Sequence, residues 1–296
     1  MAFAPIVLFV YKRLWHTQQV VEALLQNPEA SQSDLFIYSD GPKPGVEEDV
    51  KKLREYLKTI KGFKKIEIIE RKTNYGLANN IIDGITKIVD KYEKIIVLED
   101  DLVVSPGFLH YMNKGLEIYK NEEKVASIHG YVYPLKKWYK LPQTFFIRGA
   151  DCWGWGTWQR AWNIFEPDGR KLKEEILKRK EKKLFDMGGT YPYFKMLEDQ
   201  INGKNNSWAI RWYASAFLHN KLTLYPHQSL VKNIGFDKSG THCQGGDVFS
   251  GNEIDRISPI KTFPEENPLA RKMFENYLRW LPFSIIIKRV KERIKI

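Results

Sequence analysis

The chain has 296 residues, of which 43% are hydrophobic and 28% are charged, so it can bury a sizeable core and need not be disordered. Its two cysteines, Cys152 and Cys243, exclude a disulfide-rich scaffold and lack the spacing of a metal-binding motif. The net charge of +11 is concentrated in two segments, 170–183 and 279–296, each with a net charge of +5, which is compatible with binding either a nucleic acid or an anionic membrane.

The N-terminal half alternates predicted strands with predicted helices. Apolar runs predict strands over 5–11, 34–38, 65–69 and 95–98. Hydrophobic residues at helical spacing predict a helix with Thr17 as its N-cap, a helix over 46–60 and a helix from Leu77 to Val89. This alternation predicts an α/β fold with a mostly parallel, buried central sheet and helices on both faces.

The alternation ends near residue 130, and four tryptophans follow within segment 149–162. A charged helix over 171–185, a helix near 208–219 and a strand over 222–225 are predicted next. The first apolar run has no basic segment before it and no small-residue cleavage site after it, so it predicts a strand rather than a signal peptide. No segment reaches the roughly 18 apolar residues of a membrane span. With only two cysteines, we expect a cytoplasmic protein.

Three adjacent carboxylates, Glu99, Asp100 and Asp101, directly follow the fourth predicted strand. Because neighbouring like charges repel one another, a divalent cation would stabilise this acidic triplet and could bridge it to a diphosphate. The triplet also falls at the carboxyl end of a strand, where open α/β sheets bind ligands. Ser105 is expected to cap the next helix and so to hold the acidic loop between two rigid elements. A solvated acidic turn is the alternative.

Further polar residues follow the other predicted strands. Arg13 follows the first strand and suits a phosphate or a base carbonyl, whereas Asp40 follows the second and suits a base N–H or a ribose hydroxyl. Asn74 and Asn80, after the third strand, could bind a base or a ribose, and Gly76 would let a ligand approach the backbone. The alternatives are surface charges and an asparagine helix cap beside a turn glycine.

Two later features could also contact ligands. Trp153 and Trp155 alternate with glycines, so their rings could stack on a sugar, although a tryptophan-rich core layer is the alternative. His242 lies in a glycine-rich segment, 235–251, and could ligate a metal or contact a phosphate. A lone histidine in a loop usually does neither.

Together these motifs resemble the GT-A glycosyltransferases, in particular the inverting enzymes related to N-acetylglucosaminyltransferase I. The resemblance covers roughly residues 5–245. It is carried by residues 10–13, 39–41, 97–104, which include the DXD-like acidic triplet, 106–108, and the segment rich in glycine and tryptophan, 149–162. The residues Asn74-Tyr75-Gly76 with Asn79-Asn80 are similar to the family-2 glycosyltransferases of the same fold. The resemblance implies a single Rossmann-like GT-A domain that uses Mn²⁺ or Mg²⁺ and a nucleotide sugar, with UDP as the expected nucleotide.

The resemblance also implies a role for each motif. By resemblance, Arg13 and Asp40 would contact the nucleotide, Asp101 would be the main metal ligand, and Glu99 and Asp100 would contact the nucleotide sugar or support the metal. The residue types and positions add further candidates: Asn74, Gly76 and Asn80 for the nucleotide sugar, His242 for the metal, and Trp153 and Trp155 for the acceptor. Inversion requires a carboxylate base that deprotonates the acceptor. The relatives' base begins a late helix, but the corresponding segment here, 206–212, has no carboxylate. Asp199 is favoured instead, because it resembles the acidic pair of the family-2 enzymes, and Asp151 is the other candidate.

This interpretation divides the domain into a nucleotide-sugar half, 1–130, an acceptor half, 131–260, and a basic amphipathic tail, 261–296. The tail could attach reversibly to an anionic membrane, or it could be a helix packed on the core with a solvated basic face. We therefore expect transfer to a glycan or lipid-linked glycan in cell-surface polysaccharide synthesis, at the inner face of the cell membrane, with no nucleic acid as a partner.

Two other functions are alternatives to this one. A sugar-nucleotide pyrophosphorylase shares the sheet topology and an acidic metal site, but it needs a glycine-rich loop after the first strand, and the first glycine of this chain is Gly41. A non-catalytic basic protein that binds RNA or an acidic polysaccharide would explain the charge but not the acidic triplet at a strand end.

Overall fold

The structure is a computed structural model that describes residues 3–237 and 247–294. Within these ranges the strands are β1 (Ile6–Val10), β2 (Asp34–Ser39), β3 (Lys65–Glu70), β4 (Lys94–Glu99), β5 (Leu102–Val104), β6 (Val125–His129), β7 (Thr144–Arg148), β8 (Trp155–Trp158), β9 (Leu222–Pro226) and β10 (Val231–Asn233). The α-helices are α1 (Leu14–Leu25), α2 (Glu47–Leu57), α3 (Leu77–Tyr92), α4 (Phe108–Ile118), α5 (Gln159–Trp162), α6 (Gly169–Lys178), α7 (Lys182–Phe185), α8 (Tyr193–Ile201), α9 (Trp208–Leu218) and α10 (Pro268–Ile294).

The central sheet of the described residues has the strand order β3-β2-β1-β4-β8-β6-β9-β7. The first four strands pair in parallel, and so do β6 and β9. Strand β8 runs antiparallel to both β4 and β6, and β7 runs antiparallel to β9. The predicted α/β fold is therefore confirmed, with the parallel pairing concentrated in the first half of the chain.

The continuous apolar sequence of the first strands reflects burial on both of their faces. Every residue of β1 is at most 3% exposed, and Leu24 of α1 and Ile85 of α3 are buried in the same core. The carboxyl ends of parallel strands meet at one edge of a sheet. This topology therefore brings the residues that follow β1, β2, β3 and β4 to a common edge.

Two predicted helix caps were wrong. Helix α1 begins at Leu14, three residues before Thr17, whose hydroxyl donates to the carbonyl oxygen of Arg13 over 2.9 Å. Such a bond to the residue four positions earlier is an alternative use of a threonine hydroxyl that would otherwise cap. Helix α4 begins at Phe108 with Gly107 as its N-cap, so Ser105 lies two residues before the capping position.

A small second sheet holds the acidic triplet from the other side. Strand β5, which follows the triplet, pairs antiparallel with β10. Directly after β10, the backbone N–H of Ile234 donates to the backbone carbonyl oxygen of Asp101 over 2.9 Å. The segment that leaves β10 is therefore tied to the triplet.

The tryptophans of the second half form a layer in the core. The ring centroids of Trp155, Trp162, Trp208 and Trp212 lie 5.2 to 6.1 Å apart in the four contacting pairs, within the usual range for packed aromatic rings. Each of the four side chains is at most 4% exposed. Most of the tryptophan-rich composition thus serves packing.

The last helix begins as part of the core. In its first half, Phe274 and Leu278 are each 1% exposed and share an apolar cluster with Tyr225 of β9. Arg271 Nη2 also donates to the carbonyl oxygen of Leu184 in α7 over 3.1 Å. The predicted charged helix is divided into α6 and α7 at Lys180, whose φ is 59°. Within the described residues, no helix is both long and apolar enough to cross a membrane.

Candidate active site

Arg13 and the acidic triplet meet at the carboxyl ends of β1 and β4. Arg13 Nη2 donates to Asp100 Oδ1 and to Asp101 Oδ2, the latter over 2.8 Å, and its Nε donates to Asp100 Oδ2 over 3.4 Å. Arg13 Nη1 is buried and has no hydrogen-bond partner among the described residues. The structure therefore joins two sequence-predicted groups directly and leaves one buried guanidinium nitrogen with unused donors.

The triplet carries more negative charge than Arg13 compensates. Burial, together with the charges of Asp101 and Asp100, raises the pKa of Glu99 to about 8. Burial also raises the pKa of Asp100, although Arg13 opposes this shift. Burial would lower the pKa of Arg13, but the attraction and hydrogen bonds of Asp100 and Asp101 outweigh it and raise that pKa above its ordinary value. Three carboxylates face one guanidinium, so a doubly charged cation would neutralise the cluster.

The carboxylate oxygens of the triplet are ligands that suit a hard divalent cation. Mg²⁺ and Mn²⁺ prefer carboxylate oxygens. No donor among the described residues contacts the Glu99 carboxylate, and the Asp101 carboxylate contacts Arg13 through Oδ2 alone. Among the residues that the structure describes, no three His, Cys, Asp or Glu side chains are arranged to hold a metal ion. In the triplet, Arg13 contacts two of the three carboxylates, those of Asp100 and Asp101. Glu99 and Asp101 are therefore the residues here that could hold such a cation.

Asp40 organises the segment that follows β3. Its side chain is buried, and Oδ1 accepts from the backbone N–H groups of Gly41 and Tyr75, each over 2.8 Å. Its Oδ2 accepts from the N–H of Gly76 over 3.0 Å and from Asn74 Nδ2 over 3.2 Å. The structure thus brings three of the predicted residues together, with Asp40 holding the loop that contains Asn74 and Gly76.

Two glycines allow this loop its conformation. A Cβ at Gly41 would overlap the carbonyl carbon of Thr73, so the two segments can approach only where a side chain is missing. Gly76 has a φ of 73°, which favours glycine. Asn80 lies one turn into α3, where it is buried and its Oδ1 accepts from Arg71 Nε over 3.0 Å. Asn80 therefore supports the loop from behind rather than joining the group around Asp40.

The segment after β10 packs against the triplet. A Cβ at Gly235 would overlap Asp101 Oδ2, and His16 Nε2 lies 3.0 Å from Asp237 Oδ2. His242, the further candidate for a metal ligand, follows five positions later and lies outside the described residues. Its role stays a prediction.

An aromatic cavity of about 240 Å³ lies in the second half of the chain. The tyrosines that line it are Tyr131, Tyr133, Tyr191, Tyr193, Tyr213 and Tyr225. Ser207 and Ile210, at the start of α9, form part of another wall, and Phe274 and Leu278 of α10 also contribute. Asp151 is the one carboxylate among the described lining residues. The cavity therefore combines many ring surfaces with a single acidic group.

Asp151 lines this cavity and precedes Cys152 in the chain. Its Oδ1 accepts from the backbone N–H of Cys152 over 2.8 Å. Burial raises the pKa of the Cys152 thiol, and the charges of Asp151, Glu99 and Asp101 raise it further. Cys152 is therefore within electrostatic reach of both acidic groups. On the cavity side, burial raises the pKa of Tyr225, and the charge of Asp151 adds to that shift.

Asp199, the favoured base candidate, has a different environment. It lies on α8 and forms ion pairs with Lys195 and, over 3.7 Å, with Lys204. The hydrogen bond from Lys195 lowers the pKa of Asp199, which weakens it as a proton acceptor at neutral pH. Within the described part of the chain, Asp199 does not line the aromatic cavity. Asp151, and not Asp199, lines the cavity and precedes Cys152, the residue whose pKa responds to the charges of the triplet.

The two tryptophans predicted to bind the acceptor also differ. Trp153 lines the cavity, and its ring centroid lies 4.8 Å from that of Tyr131. Trp155 is fully buried, and its ring is stacked on Trp208 at 5.7 Å. Trp153 can therefore present a face to a ligand, whereas Trp155 has the core packing of the alternative interpretation.

Some residues that shape this region had no motif in the sequence. Arg54 Nη2 donates to the backbone carbonyl oxygens of Ser39, Asp40 and Arg71 and so ties the ends of β2 and β3 together. In the sequence, Arg54 is distinguished only as a basic residue in the last turn of an amphipathic helix. The cavity tyrosines come from positions as far apart as 131 and 225, and they converge only through the sheet and α9.

Comparison with known proteins addresses the identity of this fold and site. The chain matches the family model described as "Glycosyl transferase family 2" over residues 6–197, more than half of its length. No curated protein matches it. Among solved structures, it is similar to the mannosyltransferase PcManGT from Pyrobaculum calidifontis in complex with GDP-Man and Mn²⁺, with 10% identity, a TM-score of 0.36 and coverage of 59% of this chain and 47% of that one. It is similar to S. aureus TarS with 11% identity, a TM-score of 0.32 and coverage of 51% and 28%, respectively.

The chain thus spans about half the length of the mannosyltransferase and 28% of that of TarS. The matched region, 6–197, contains β1 to β4, the acidic triplet, and the residues Asn74-Tyr75-Gly76 and Asn79-Asn80 on which the predicted similarity to the family-2 enzymes rests. A specific similarity to N-acetylglucosaminyltransferase I stays a prediction. The chain belongs to glycosyl transferase family 2.

Proposed function

We propose that this protein is a metal-dependent inverting glycosyltransferase that moves a sugar from a UDP-sugar to a glycan or lipid-linked glycan in cell-surface polysaccharide synthesis. The observation that carries the proposal is the cluster of Arg13 and the acidic triplet, with Asp151 and its aromatic cavity beside it. Family membership supports a transferase. The site adds carboxylates for a cation and a candidate base on the acceptor side.

On the donor side, Asp101 and Glu99 would hold Mn²⁺ or Mg²⁺, which would supply charge stabilisation to the departing diphosphate. Arg13 would bind the phosphates, because a guanidinium suits phosphate oxygens and its Nη1 has no partner among the described residues. Asp40 would act through the loop that it holds, by keeping Asn74 in place for the base or ribose. Each of these groups would therefore orient or neutralise the leaving group.

On the acceptor side, we assign the general base to Asp151. The resemblance places the relatives' base at the start of a late helix, and here the start of that helix, α9, lines the same cavity as Asp151. A carboxylate from the loop before β8 can therefore serve the region that a helix-borne carboxylate serves in the relatives. As Asp151 takes the proton, the acceptor oxygen would form a bond to the anomeric carbon from the face opposite the diphosphate, and the bond from that carbon to the diphosphate oxygen would break, which inverts the anomeric centre.

The size of the cavity limits how much of the acceptor it can enclose. Its volume of about 240 Å³ lies just below the ~300–1,000 Å³ of sites that enclose a drug-sized ligand. One sugar ring would fit against Trp153 and the tyrosines, and the remainder of the acceptor would stay outside. The proposal is therefore transfer to a terminal sugar, with Asp151 at the reacting hydroxyl.

Calorimetry with UDP and GDP, each with and without Mn²⁺, tests the donor assignment. We expect UDP to bind in the presence of Mn²⁺ at least tenfold more tightly than in its absence, because the cation bridges the diphosphate to the triplet. GDP is expected to bind more weakly than UDP under the same conditions. Equal affinity with and without Mn²⁺ would contradict metal dependence, and tighter binding of GDP would contradict the choice of nucleotide.

We also propose that the enzyme works at an anionic membrane surface. The contact of Arg271 with α7 connects the two helical regions that carry the excess positive charge of the sequence. Leu177 and Leu184 are exposed beside the basic residues of α6 and α7, and Trp280 of α10 is 62% exposed. Each basic residue near an anionic membrane contributes about 1 kcal/mol, so these regions together could support reversible attachment.

Vesicle sedimentation tests this attachment. Truncation after Leu281 keeps the buried part of α10 but removes the basic segment that follows, so we expect at least a tenfold loss of binding to phosphatidylserine vesicles. Replacement of the exposed Lys51 and Lys52 of α2 by glutamine is the control and should leave binding nearly unchanged. Unaltered sedimentation of the truncated protein would contradict the proposal.

A further inference from the structure

A buried histidine lies behind the loop that carries Asp151. His129, at the end of β6, has no solvent exposure. Its Nδ1 lies 2.7 Å from the backbone carbonyl oxygen of Tyr131, and its Nε2 lies 3.0 Å from the backbone nitrogen of Trp153. A carbonyl oxygen can only accept and a backbone N–H can only donate, so Nδ1 carries the proton and Nε2 is the acceptor. The partners alone therefore define the tautomer.

These bonds connect the end of β6 to the Asp151 loop. Next to the bond from Trp153, the backbone N–H of Gly130 donates to the carbonyl oxygen of Gly154 over 2.7 Å. The imidazole ring is held by Tyr225, whose ring centroid lies 5.0 Å away. His129 Nε2 lies 4.0 Å from Asp151 Oδ1. The loop from Asp151 to Gly154 is thus held by hydrogen bonds at two successive residues, Trp153 and Gly154.

We propose that His129 is a positioning residue that holds the Asp151 loop so that the Asp151 carboxylate faces the acceptor hydroxyl. This inference rests on the proposed function, in which Asp151 is the base. His129 would act through the backbone of Trp153 and would not itself touch the substrate. Because catalysis depends on distance and angle, a shift of the carboxylate by about 1 Å can cost roughly a hundredfold in rate.

The neutral form of the imidazole is the one that suits this role. Burial lowers the pKa of His129, although the charge of Asp151 and the carbonyl of Tyr131 oppose the shift. A cationic imidazole at this distance would pair with Asp151 and make it a weaker proton acceptor. It would also lose the lone pair that accepts from Trp153. A neutral His129 therefore orients the loop and leaves the basicity of Asp151 intact.

Substitutions of His129 separate positioning from simple packing. His129→Phe keeps a ring in the core but loses both hydrogen bonds, and we expect kcat to fall by about 10- to 100-fold. The donor KM and the calorimetric affinity for UDP with Mn²⁺ should stay within about twofold, because the triplet is a separate part of the site. His129→Gln can still accept from Trp153 and should recover most of kcat, whereas the shorter His129→Asn should not. His219→Phe, at an exposed histidine after α9, is the matched control.

A double-mutant cycle with Asp151→Asn decides whether His129 acts through Asp151. We expect Asp151→Asn alone to have the same kcat as the double variant with His129→Phe. An asparagine at 151 cannot accept the proton, so its position no longer affects the rate. Full activity of Asp151→Asn would overturn the proposed base and leave the donor assignments standing. If Asp151→Asn is impaired, three results would overturn the inference on His129. The first is an unchanged kcat in both His129→Phe and His129→Asn, and the second is a double variant whose loss of kcat is the product of the two single losses. The third is a loss of UDP affinity in the His129 variants as large as their loss of kcat.

Discussion

Asp101→Asn is expected to lower kcat for sugar transfer by about a thousandfold and to abolish the Mn²⁺ dependence of UDP binding. A bound cation contributes several kcal/mol to stabilisation of a leaving phosphate, and about 4 kcal/mol corresponds to a factor of roughly a thousand. Asparagine keeps the size of the side chain and can still accept from Arg13 Nη2, which lies 2.8 Å from Asp101 Oδ2. Steady-state kinetics and calorimetry with UDP and Mn²⁺ would measure the two effects.

The stability of this variant serves as its internal control. The charge of Asp101 contributes to the raised pKa of Glu99, so removal of that charge relieves repulsion in the metal-free triplet. We therefore expect an unfolding temperature equal to or above that of the unchanged protein, and a low activity would then reflect the site rather than the fold. Asp90→Asn, at an exposed carboxylate of α3, should leave activity and binding intact. Full metal-dependent activity in Asp101→Asn would rule out Asp101 as the main ligand.

The first half of the fold could be predicted closely from the sequence. The predicted strands over 5–11, 34–38, 65–69 and 95–98 differ from β1 to β4 by at most one residue at either end. Short apolar runs separated by helical periodicity have few other solutions, because parallel strands lie between covering helices. Once these strands are placed in parallel, the edge that gathers Arg13, Asp40 and the acidic triplet follows from topology.

The contacts that complete the site depend on partners far away in the chain. Strand β5 has three residues and forms by pairing with β10, more than 120 positions later, so local sequence pointed to a helix cap at Ser105 instead. Asp40 was predicted as a ligand-binding residue, and its hydrogen bonds to Gly41, Tyr75 and Gly76 were not foreseen because backbone donors leave no trace in the sequence. Short strands and hydrogen bonds to backbone groups therefore could not be predicted from the sequence.

Alternation of tryptophan and glycine was ambiguous for a geometric reason. Successive residues of a strand face opposite sides, so Trp155 and Trp158 on β8 lie on different faces of the sheet. Burial of both faces depends on the helices that cover them, here α9 through Trp208. The same sequence pattern would suit an exposed sugar-binding platform if α9 were absent. Packing between distant elements thus determines that Trp155 is buried.

Asp151→Asn is expected to lower kcat by 10²- to 10⁴-fold, the usual contribution of a general base. The asparagine side chain would keep an oxygen for the N–H of Cys152, so the loop geometry and the affinity for UDP with Mn²⁺ should change little. The loss should therefore appear in kcat and not in the donor KM. Rates of sugar transfer measured with acceptor and donor varied separately would show this division.

Asp199→Asn is the matched comparison, because the two aspartates were the rival candidates for one role. Asp199 pairs with Lys195 and Lys204 on the surface of α8, where solvent screens the charges and such pairs contribute little to stability. We expect its replacement to leave kcat within about twofold. A collapse of kcat in Asp199→Asn with UDP binding retained, and full activity in Asp151→Asn, would return the base to α8. That result would also require α8 to approach the acceptor in a conformation other than the one described, since Asp199 now faces lysines rather than the cavity.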